Sequence, residues 1–193
     1  AGQMTQEEAD WYKRATDEEQ HSPEYTRLNL IRHGGKTTNY SATYGAKGPT
    51  IARSAGLPEE KGDELYEAYW DRNWSIQAIA DECIVKNSRG MKWLWNPVAK
   101  IWYFLKAEKD RFSTLNQGTA TYAFDRWLFY VIQRRPQLTA QFHDEGVWVL
   151  KEGCRVYMTE ILKDSIQDVN EELQLNRELD CDVLFGQTYA EVH

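Results

Sequence analysis

The fold is decided by the stretch from residue 120 to residue 150, which reads ATYAFDRWLFYVIQRRPQLTAQFHDEGVWVL. Apolar side chains recur in its first part at the three- and four-residue spacing of a helix that buries one face, namely Ala120, Ala123, Phe124, Trp127, Leu128 and Val131. The helix is predicted to end at Arg134-Arg135-Pro136, because a proline ring cannot continue it. The apolar residues in 138–142 and 146–150 flank a polar turn and predict two strands.

Helix signals dominate the N-terminal half of the chain. Ser22-Pro23-Glu24 offers an N-cap serine, a proline for the first turn and an acid at the positive end of the helix dipole. The helix that begins there is predicted to run to about residue 41 or 44, before Gly45. Shorter helices are predicted at 50–55 and from Pro58 onward.

Shorter elements are predicted elsewhere. A hairpin over 83–95 turns at Asn87-Ser88-Arg89-Gly90, and we expect an irregular, aromatic-rich segment from there to residue 106. A helix at about 155–174 and a final strand at 179–185 complete the chain. Because helices come first and a small antiparallel sheet flanked by helices comes last, the fold class is α+β.

The composition predicts a folded protein without a membrane partner. The chain has 193 residues, of which 41% are hydrophobic, enough to bury a core. The longest unbroken apolar run, Trp127–Ile132, is too short to span a bilayer, and the first thirty residues contain no signal-peptide pattern. Cys83, Cys154 and Cys181 are widely spaced and match no disulfide framework, so we expect reduced thiols and a cytoplasmic location.

The net charge of −7 hides an alternation along the chain. Residues 26–56 carry +5 with no acid and lie between two acidic blocks. Residues 86–111 also carry +5, after an acidic block and before a stretch, 112–140, that carries +2. An acidic total argues against a nucleic-acid partner. The two basic blocks could nevertheless form a local anion-binding surface, or they could be an ordinary fluctuation of charge. The charge pattern leaves both interpretations open.

The first candidate site is a stripe on the helix predicted to begin near Ser22, formed by Arg32, Lys36, Tyr40 and Tyr44. Residues four apart advance by about 400°, so the four share one face that drifts by about 40° per step. The cations suit a polyphosphate, and the rings suit a sugar and a base. The alternative is a partly exposed helix with its tyrosines packed inward and its cations in solvent.

The second candidate is His143-Asp144-Glu145 at the tip of the C-terminal hairpin. Adjacent carboxylates at the end of two strands could hold a hard divalent cation, which prefers oxygen ligands. The alternative is a simple hairpin turn, for which these residue types are common. Zinc is a weaker option, because the single histidine has no partner at a zinc-ligand spacing.

The third candidate comprises Lys109, Arg111 and Gln117. A basic approach here leads into a polar helix start that begins at Ser113. Neutral amides and small hydroxyls suit the minor groove of a duplex, whose acceptors are shared among base pairs. Capping and solvation of a first helical turn is the alternative.

In this order, the three sets resemble the family A DNA polymerases, the group of bacterial DNA polymerase I and many phage replicases. The resemblance rests on Arg32-x3-Lys36-x3-Tyr40-x3-Tyr44-Gly45, on Gln117-Gly118-Thr119-Ala120 and on His143-Asp144-Glu145. The stretch from Ile51 to Trp70 and the ending Phe185–His193 also look like the family, so the resemblance covers about 26–193. The amino-acid sequences of Ser113–Gly118 and Phe142–Glu145 look closer to those of phage members.

The resemblance implies a DNA-directed DNA polymerase that transfers a nucleotide from a dNTP to the primer 3′-hydroxyl. It gives the fingers residues Arg32 and Lys36 the role of binding the incoming triphosphate during catalysis. Tyr40 would pack on the sugar, and Tyr44 would stand beside the templating position. The primer–template DNA would be contacted by Gln117, His143, Lys109 and Arg111.

The resemblance also implies a catalytic palm. Asp144 would be a metal-binding aspartate, supported by Glu145, in a site for two Mg²⁺ ions. The implied domains are an acidic N-terminal segment over 1–25, fingers over 26–106 and the C-terminal part of a palm over 107–193. The family's other metal-binding aspartate, its thumb and its exonuclease have no counterpart in these residues.

We therefore expect a second polymerase chain that supplies the missing palm segment, aspartate and thumb and shares the Mg²⁺ ions with this one. The isolated chain is predicted to be inactive. The competing class is a non-catalytic DNA- or replisome-binding module derived from a polymerase palm. A metal-dependent nuclease is a lesser option.

Overall fold

The computed structural model describes residues 4–134 and 136–192 and confirms an α+β fold. Ala1 to Gln3, Arg135 and His193, which belong to the predicted acidic segment, helix end and C-terminal match, lie outside the described residues. The helices are α1 (Gln6–Arg14), α2 (Pro23–Thr43), α3 (Gly48–Ser54), α4 (Gly62–Arg72), α5 (Trp74–Glu82), α6 (Arg111–Gln133) and α7 (Arg155–Leu173). The strands are β1 (Val85–Ser88), β2 (Met91–Asn96), β3 (Ile101–Leu105), β4 (Ala140–Phe142) and β5 (Glu145–Val147).

The chain divides into two compact units. The first comprises Ala1–Leu94 and Phe104–Ser113, and the second comprises Trp95–Tyr103 and Thr114–His193. The division falls within β2 and β3 and in the first turn of α6, and the predicted boundary between fingers and palm at residue 106 stays a prediction. Among the helices of the described residues, none combines the length and apolarity needed to cross a bilayer.

Helix α2 follows the sequence prediction closely. The Ser22 hydroxyl accepts a hydrogen bond from the Tyr25 backbone N–H at 3.1 Å, and Pro23 occupies the first turn. This arrangement satisfies one of the backbone donors that a helix start leaves unpaired. The helix ends at Thr43, and Gly45 then turns the chain with a φ of 81°. Only Leu28 and Ala42 of its side chains are buried.

Helices α3 and α4 meet backbone against backbone at Gly48 and Gly62. A Cβ atom built on Gly48 would lie 2.7 Å from the carbonyl carbon of Gly62, and one built on Gly62 would lie 2.8 Å from the Pro49 nitrogen. Neither position has room for a side chain. The helix predicted from Pro58 begins instead as a 3₁₀ turn at Glu59–Lys61 and becomes α-helical only at Gly62.

The first three strands form an antiparallel sheet in the order β1-β2-β3. The β1–β2 hairpin was predicted, and its turn places Arg89 and Gly90 at positive φ. The expectation of an irregular segment up to residue 106 is wrong, because residues 101–105 form strand β3. Buried Asn96 makes the connection compact, since its side-chain oxygen accepts hydrogen bonds from the Val98 and Ala99 backbone N–H groups at 2.9 and 3.0 Å.

The core of the second unit lies between α6 and α7. It consists of Ala123, Trp127, Leu128, Val131, Met158, Ile161, Leu162, Ile166 and Val169. The predicted apolar face of α6 is therefore confirmed, except that Ala120 is exposed. The Trp127 indole N–H donates to the Leu162 backbone oxygen at 3.1 Å, so this large ring is buried with its polar atom satisfied.

Strands β4 and β5 form the predicted C-terminal hairpin, with Phe142 paired to Glu145 across a two-residue turn. Both strands are shorter than the sequence predicted. The hairpin is fixed to the core by Trp148, whose ring meets the Trp127 ring edge-on at 5.7 Å. Gly146 leaves room for this ring, because a Cβ there would lie 2.8 Å from Trp148 Cζ3.

The final strand predicted at 179–185 is absent from the described residues. The apolar alternation was correct, because Leu179, Cys181 and Val183 pack against the core of the second unit. The hydrogen bonds of a partner strand are replaced by Asn170 of α7. Its side chain accepts from the Leu179 backbone N–H at 2.7 Å and donates to the Leu179 oxygen at 2.9 Å.

Candidate nucleotide-binding and metal-binding residues

The predicted stripe on α2 is exposed along its whole length. Arg32 and Lys36 are exposed, Tyr40 retains 52% of its accessible surface, and Tyr44, the C-cap of α2, retains 44%. Large aromatic rings at this exposure are available to a ligand. Neither ring is buried, as tyrosines packed fully inward would be.

Arg32 and Lys36 differ from several other cations of the first unit, which pair with carboxylates. Arg27, on the same helix, pairs with Glu8 and Glu24, and Arg53 pairs with Glu59. Among the described residues, no carboxylate pairs with Arg32 or Lys36. Each instead faces an aromatic ring: the Arg32 guanidinium carbon lies 6.0 Å from the Tyr12 ring centre, and Lys36 Nζ lies 5.9 Å from that of Tyr40. Within residues 4–134 and 136–192, no carboxylate therefore neutralises their positive charge.

The Tyr12 contact was missed by sequence reasoning, because α1 was not predicted. Its signal was present as Thr5-Gln6-Glu7-Glu8, the pattern of a capping box. The structure forms that box: Glu8 N–H donates to Thr5 Oγ1, and Thr5 N–H donates to Glu8 Oε2. With Arg27, these bonds hold the pKa of Glu8 below its ordinary value.

Lys109 and Arg111, the predicted DNA contacts of the first unit, have different surroundings. Lys109 lies in a 3₁₀ turn beside the end of α2, where a Cβ on Gly45 would lie 3.4 Å from Lys109 Cδ. Arg111 begins α6 and donates to Glu108 at 2.6 Å. Because Lys92 also pairs with Glu108, the pKa of that carboxylate is lowered. Lys109 is thus the less neutralised of the two cations.

Gln117 lies on an exposed position of α6 in the second unit. The next residue, Gly118, is buried because the Tyr103 ring packs on it, and a Cβ would lie 2.7 Å from Tyr103 Cε2. Tyr103 also donates to the Gly118 oxygen at 3.1 Å, and Asn96 donates to Thr119 Oγ1 at 3.0 Å. These contacts fix the turn of α6 that carries Gln117.

The predicted acidic pair lies at the tip of the C-terminal hairpin, with Asp144 exposed and Glu145 partly buried. His143, with a φ of 50°, and Asp144 form the exposed turn, and Glu145 is the first residue of β5. Tyr189 lies beside them, with its ring centre 5.8 Å from that of Phe142. Burial, the Glu145 charge and a hydrogen bond with that carboxylate raise the pKa of Tyr189. Glu145 therefore already has a hydrogen-bond partner, whereas Asp144 is an exposed residue of the turn.

The pair Asp144 and Glu145 fits Mg²⁺ only as a partial donor set. Carboxylate oxygens are the ligands this ion prefers. In residues 4–134 and 136–192, however, no group of three or more His, Cys, Asp or Glu side chains gathers at one place. The described residues therefore do not form a self-contained site for the two Mg²⁺ ions that the resemblance implies and that we expect to be shared with a second chain.

Comparison with known proteins gives a structural likeness and no sequence match. No protein-family model matches the chain, and no curated protein matches it significantly. Among solved structures, it is similar to the POL domain of Pol1 from M. smegmatis in complex with DNA primer-template and dNTP, with a TM-score of 0.59 and 17% identity. The match covers 84% of this chain and 30% of that one. The fold is therefore polymerase-like, and the chain spans under a third of that domain's length.

Proposed function

We propose that this chain is the fingers and the C-terminal palm portion of a DNA-directed DNA polymerase, of the phage type within family A. The observation that carries the proposal is the exposed stripe on α2, where two cations that pair with no carboxylate of the described residues precede two exposed tyrosines. A likeness in fold to a domain solved with primer-template and dNTP supports it.

The candidate residues would have different roles in binding the nucleotide and the duplex. Arg32, with its fork of donors, and Lys36, a point charge, would hold the triphosphate and offset the negative charge that develops on it during transfer. Tyr40 would pack on the sugar, and Tyr44 would stand beside the templating base. Gln117, His143, Lys109 and Arg111 would position the primer–template duplex.

Asp144 and Glu145 would be this chain's share of the Mg²⁺ ligands. When bound, the two ions would activate the primer 3′-hydroxyl and stabilise the leaving pyrophosphate. Because the described residues offer only a partial donor set, we propose that a second polymerase chain supplies the remaining aspartate together with the missing palm segment and thumb. The 193 residues alone are then expected to extend no primer.

Substitution of the stripe tests the proposal. Arg32→Ala and Lys36→Ala are expected to lower kcat/KM for dNTP in the assembled enzyme by about 10²-fold each, the size of effect seen when one donor to a transition-state charge is lost. Arg53→Ala is the matched control, because Arg53 is an exposed cation of the same unit that already pairs with Glu59. Equal kcat/KM values for all three variants would contradict the assignment of α2.

A non-catalytic DNA- or replisome-binding module is the competing function. Its specific support is the partial donor set at the hairpin tip. Such a module would bind primer–template DNA with or without Mg²⁺, and neither the chain nor its assembly would extend a primer. Extension assays on the chain, with and without the polypeptides that co-purify with it, separate the two functions and test the second chain at the same time.

A further inference from the structure

The acidic N-terminal helix α1 contacts the nucleotide-binding stripe through one side chain. We propose that Tyr12 is a positioning residue that holds Arg32 ready for the triphosphate of the incoming nucleotide. The inference rests on the proposed function of α2 and adds a role for the N-terminal segment, which the polymerase resemblance does not cover.

Tyr12 is itself firmly placed. Its ring stacks on that of Tyr25, with 4.6 Å between ring centres and 14° between ring planes. Its hydroxyl donates to Asn29 Oδ1 at 2.8 Å. Tyr25 and Asn29 are one helical turn apart on α2, so the ring is fixed against the helix that carries Arg32. The Arg32 guanidinium then lies over this fixed ring.

Helix α1 is held on α2 by contacts that leave Arg32 alone. Glu8 pairs with Arg27, Trp11 meets the Tyr25 ring edge-on at 6.4 Å, and the Thr5 capping box closes the start of α1. In these contacts, the Glu8 carboxylate pairs with Arg27 and not with Arg32. Through these contacts, α1 places an aromatic ring beside Arg32 and no carboxylate.

The choice of an aromatic partner matters for phosphate binding. A free arginine side chain samples many rotamers, and ordering it on ligand binding costs conformational entropy. A carboxylate partner would order the side chain but would compete with the phosphate for its charge. The Tyr12 ring attracts the guanidinium through its π face and donates no charge that neutralises it. Arg32 is therefore restricted and still cationic.

Three variants test this role in the assembled enzyme by steady-state extension at varied dNTP concentration. Tyr12→Leu keeps an apolar side chain but removes the π face, and it should raise KM for dNTP about two- to fivefold, the range for an exposed cation–π contact. Tyr12→Phe keeps the ring and should preserve the parental KM. Trp11→Leu is the matched control: it disturbs α1 at Tyr25 without touching Arg32, so thermal stability should fall while KM stays unchanged.

The effect must also pass through Arg32. In an Arg32→Ala background, Tyr12→Leu should leave KM for dNTP unchanged. A second measurement uses NMR of the chain with Arg32 present. The ring-current shift on the Arg32 side-chain protons should vanish in Tyr12→Leu and persist in Tyr12→Phe. A parental KM in Tyr12→Leu, or equal rises in KM for Tyr12→Leu and Trp11→Leu, would overturn the inference. If the parent enzyme extends no primer, the proposed function fails, and this inference fails with it. An active parent with the wrong variant pattern overturns the inference alone.

Discussion

Helix α2 and the β4–β5 hairpin carry the two main sets of proposed functional residues, and they are held in opposite ways. Helix α2 is 21 residues long and buries only two side chains, Leu28 and Ala42. The hairpin has strands of three residues, yet Trp148 ties it to Trp127 and so to the core of the second unit.

This difference suggests how the two sets are used. Elements with few buried contacts are the ones that open and move at low free-energy cost. Under the proposed function, α2 would grip and release a nucleotide in every cycle and so would belong to that class. If Asp144 holds a metal ion as proposed, it needs a rigid support, and the contact between Trp127 and Trp148 would give the hairpin that support.

Removal of the Trp127 ring should have the largest effect, because this ring supports the hairpin through Trp148. Trp127→Ala leaves a cavity in the core and takes away the support of Trp148, so we expect a loss of about 3–5 kcal/mol in the free energy of unfolding of the second unit. Denaturant titration measures this loss. Trp74→Ala, at a ring that is 67% exposed, is the control and should cost under about 1 kcal/mol. Similar losses in both variants would refute a core centred on Trp127.

Gly146→Ala should loosen the hairpin alone. The new methyl group would collide with Trp148, whose displacement should cost about 1–3 kcal/mol. Amide exchange in β4 and β5 should accelerate while exchange in the centre of α6 changes less. Unchanged exchange in the two strands would show that Trp148 does not anchor the hairpin.

Gly35→Ala should stabilise the protein, whereas the two preceding variants should destabilise it. Gly35 lies inside α2, and a Cβ there would meet nothing within 4 Å, so alanine gains helix propensity without a clash. We expect the first unit to be stabilised by about 0.5–1 kcal/mol. Thermal unfolding measures the gain. A destabilised Gly35→Ala variant would mean that something packs closely on this part of the helix.

The smallest predicted effect is a loss of stability of α1 at low pH. Bonds from Thr5 and Arg27 lower the pKa of Glu8, so its contribution to α1 is present above the unfolded pKa and is lost as pH falls through the lower folded value. Amide exchange of α1, corrected for intrinsic rates, should therefore accelerate below about pH 4. Glu8→Gln should weaken this pH dependence, and an identical profile in that variant would contradict the role of Glu8.

The sequence predicted elements whose ends carry strong local signals. The Ser22-Pro23 start of α2, the apolar face of α6 and the hairpin around Asp144 all follow from caps, periodicity and turn residues. Helices α1 and α5 were not predicted; neither has a buried residue, and the capping box that marks the start of α1 was overlooked.

Errors arose where tertiary contacts replace local ones. The segment 179–185 has strand-like alternation, but Asn170 supplies the hydrogen bonds that a neighbouring strand would provide. The placement of Tyr12 against Arg32 depends on the docking of one helix on another. No local pattern encodes a contact between residues twenty positions apart.

The most direct test of the central claim is Mg²⁺-dependent primer extension by the assembled enzyme carrying Asp144→Asn. This change keeps the size of the side chain and removes its charge. Asp164→Asn, at an exposed acid of α7, is the matched control. The account predicts that Asp144→Asn abolishes extension while primer–template binding and Asp164→Asn activity stay near the parental values. Full extension by Asp144→Asn would contradict the assignment of this chain as the catalytic part of a DNA polymerase.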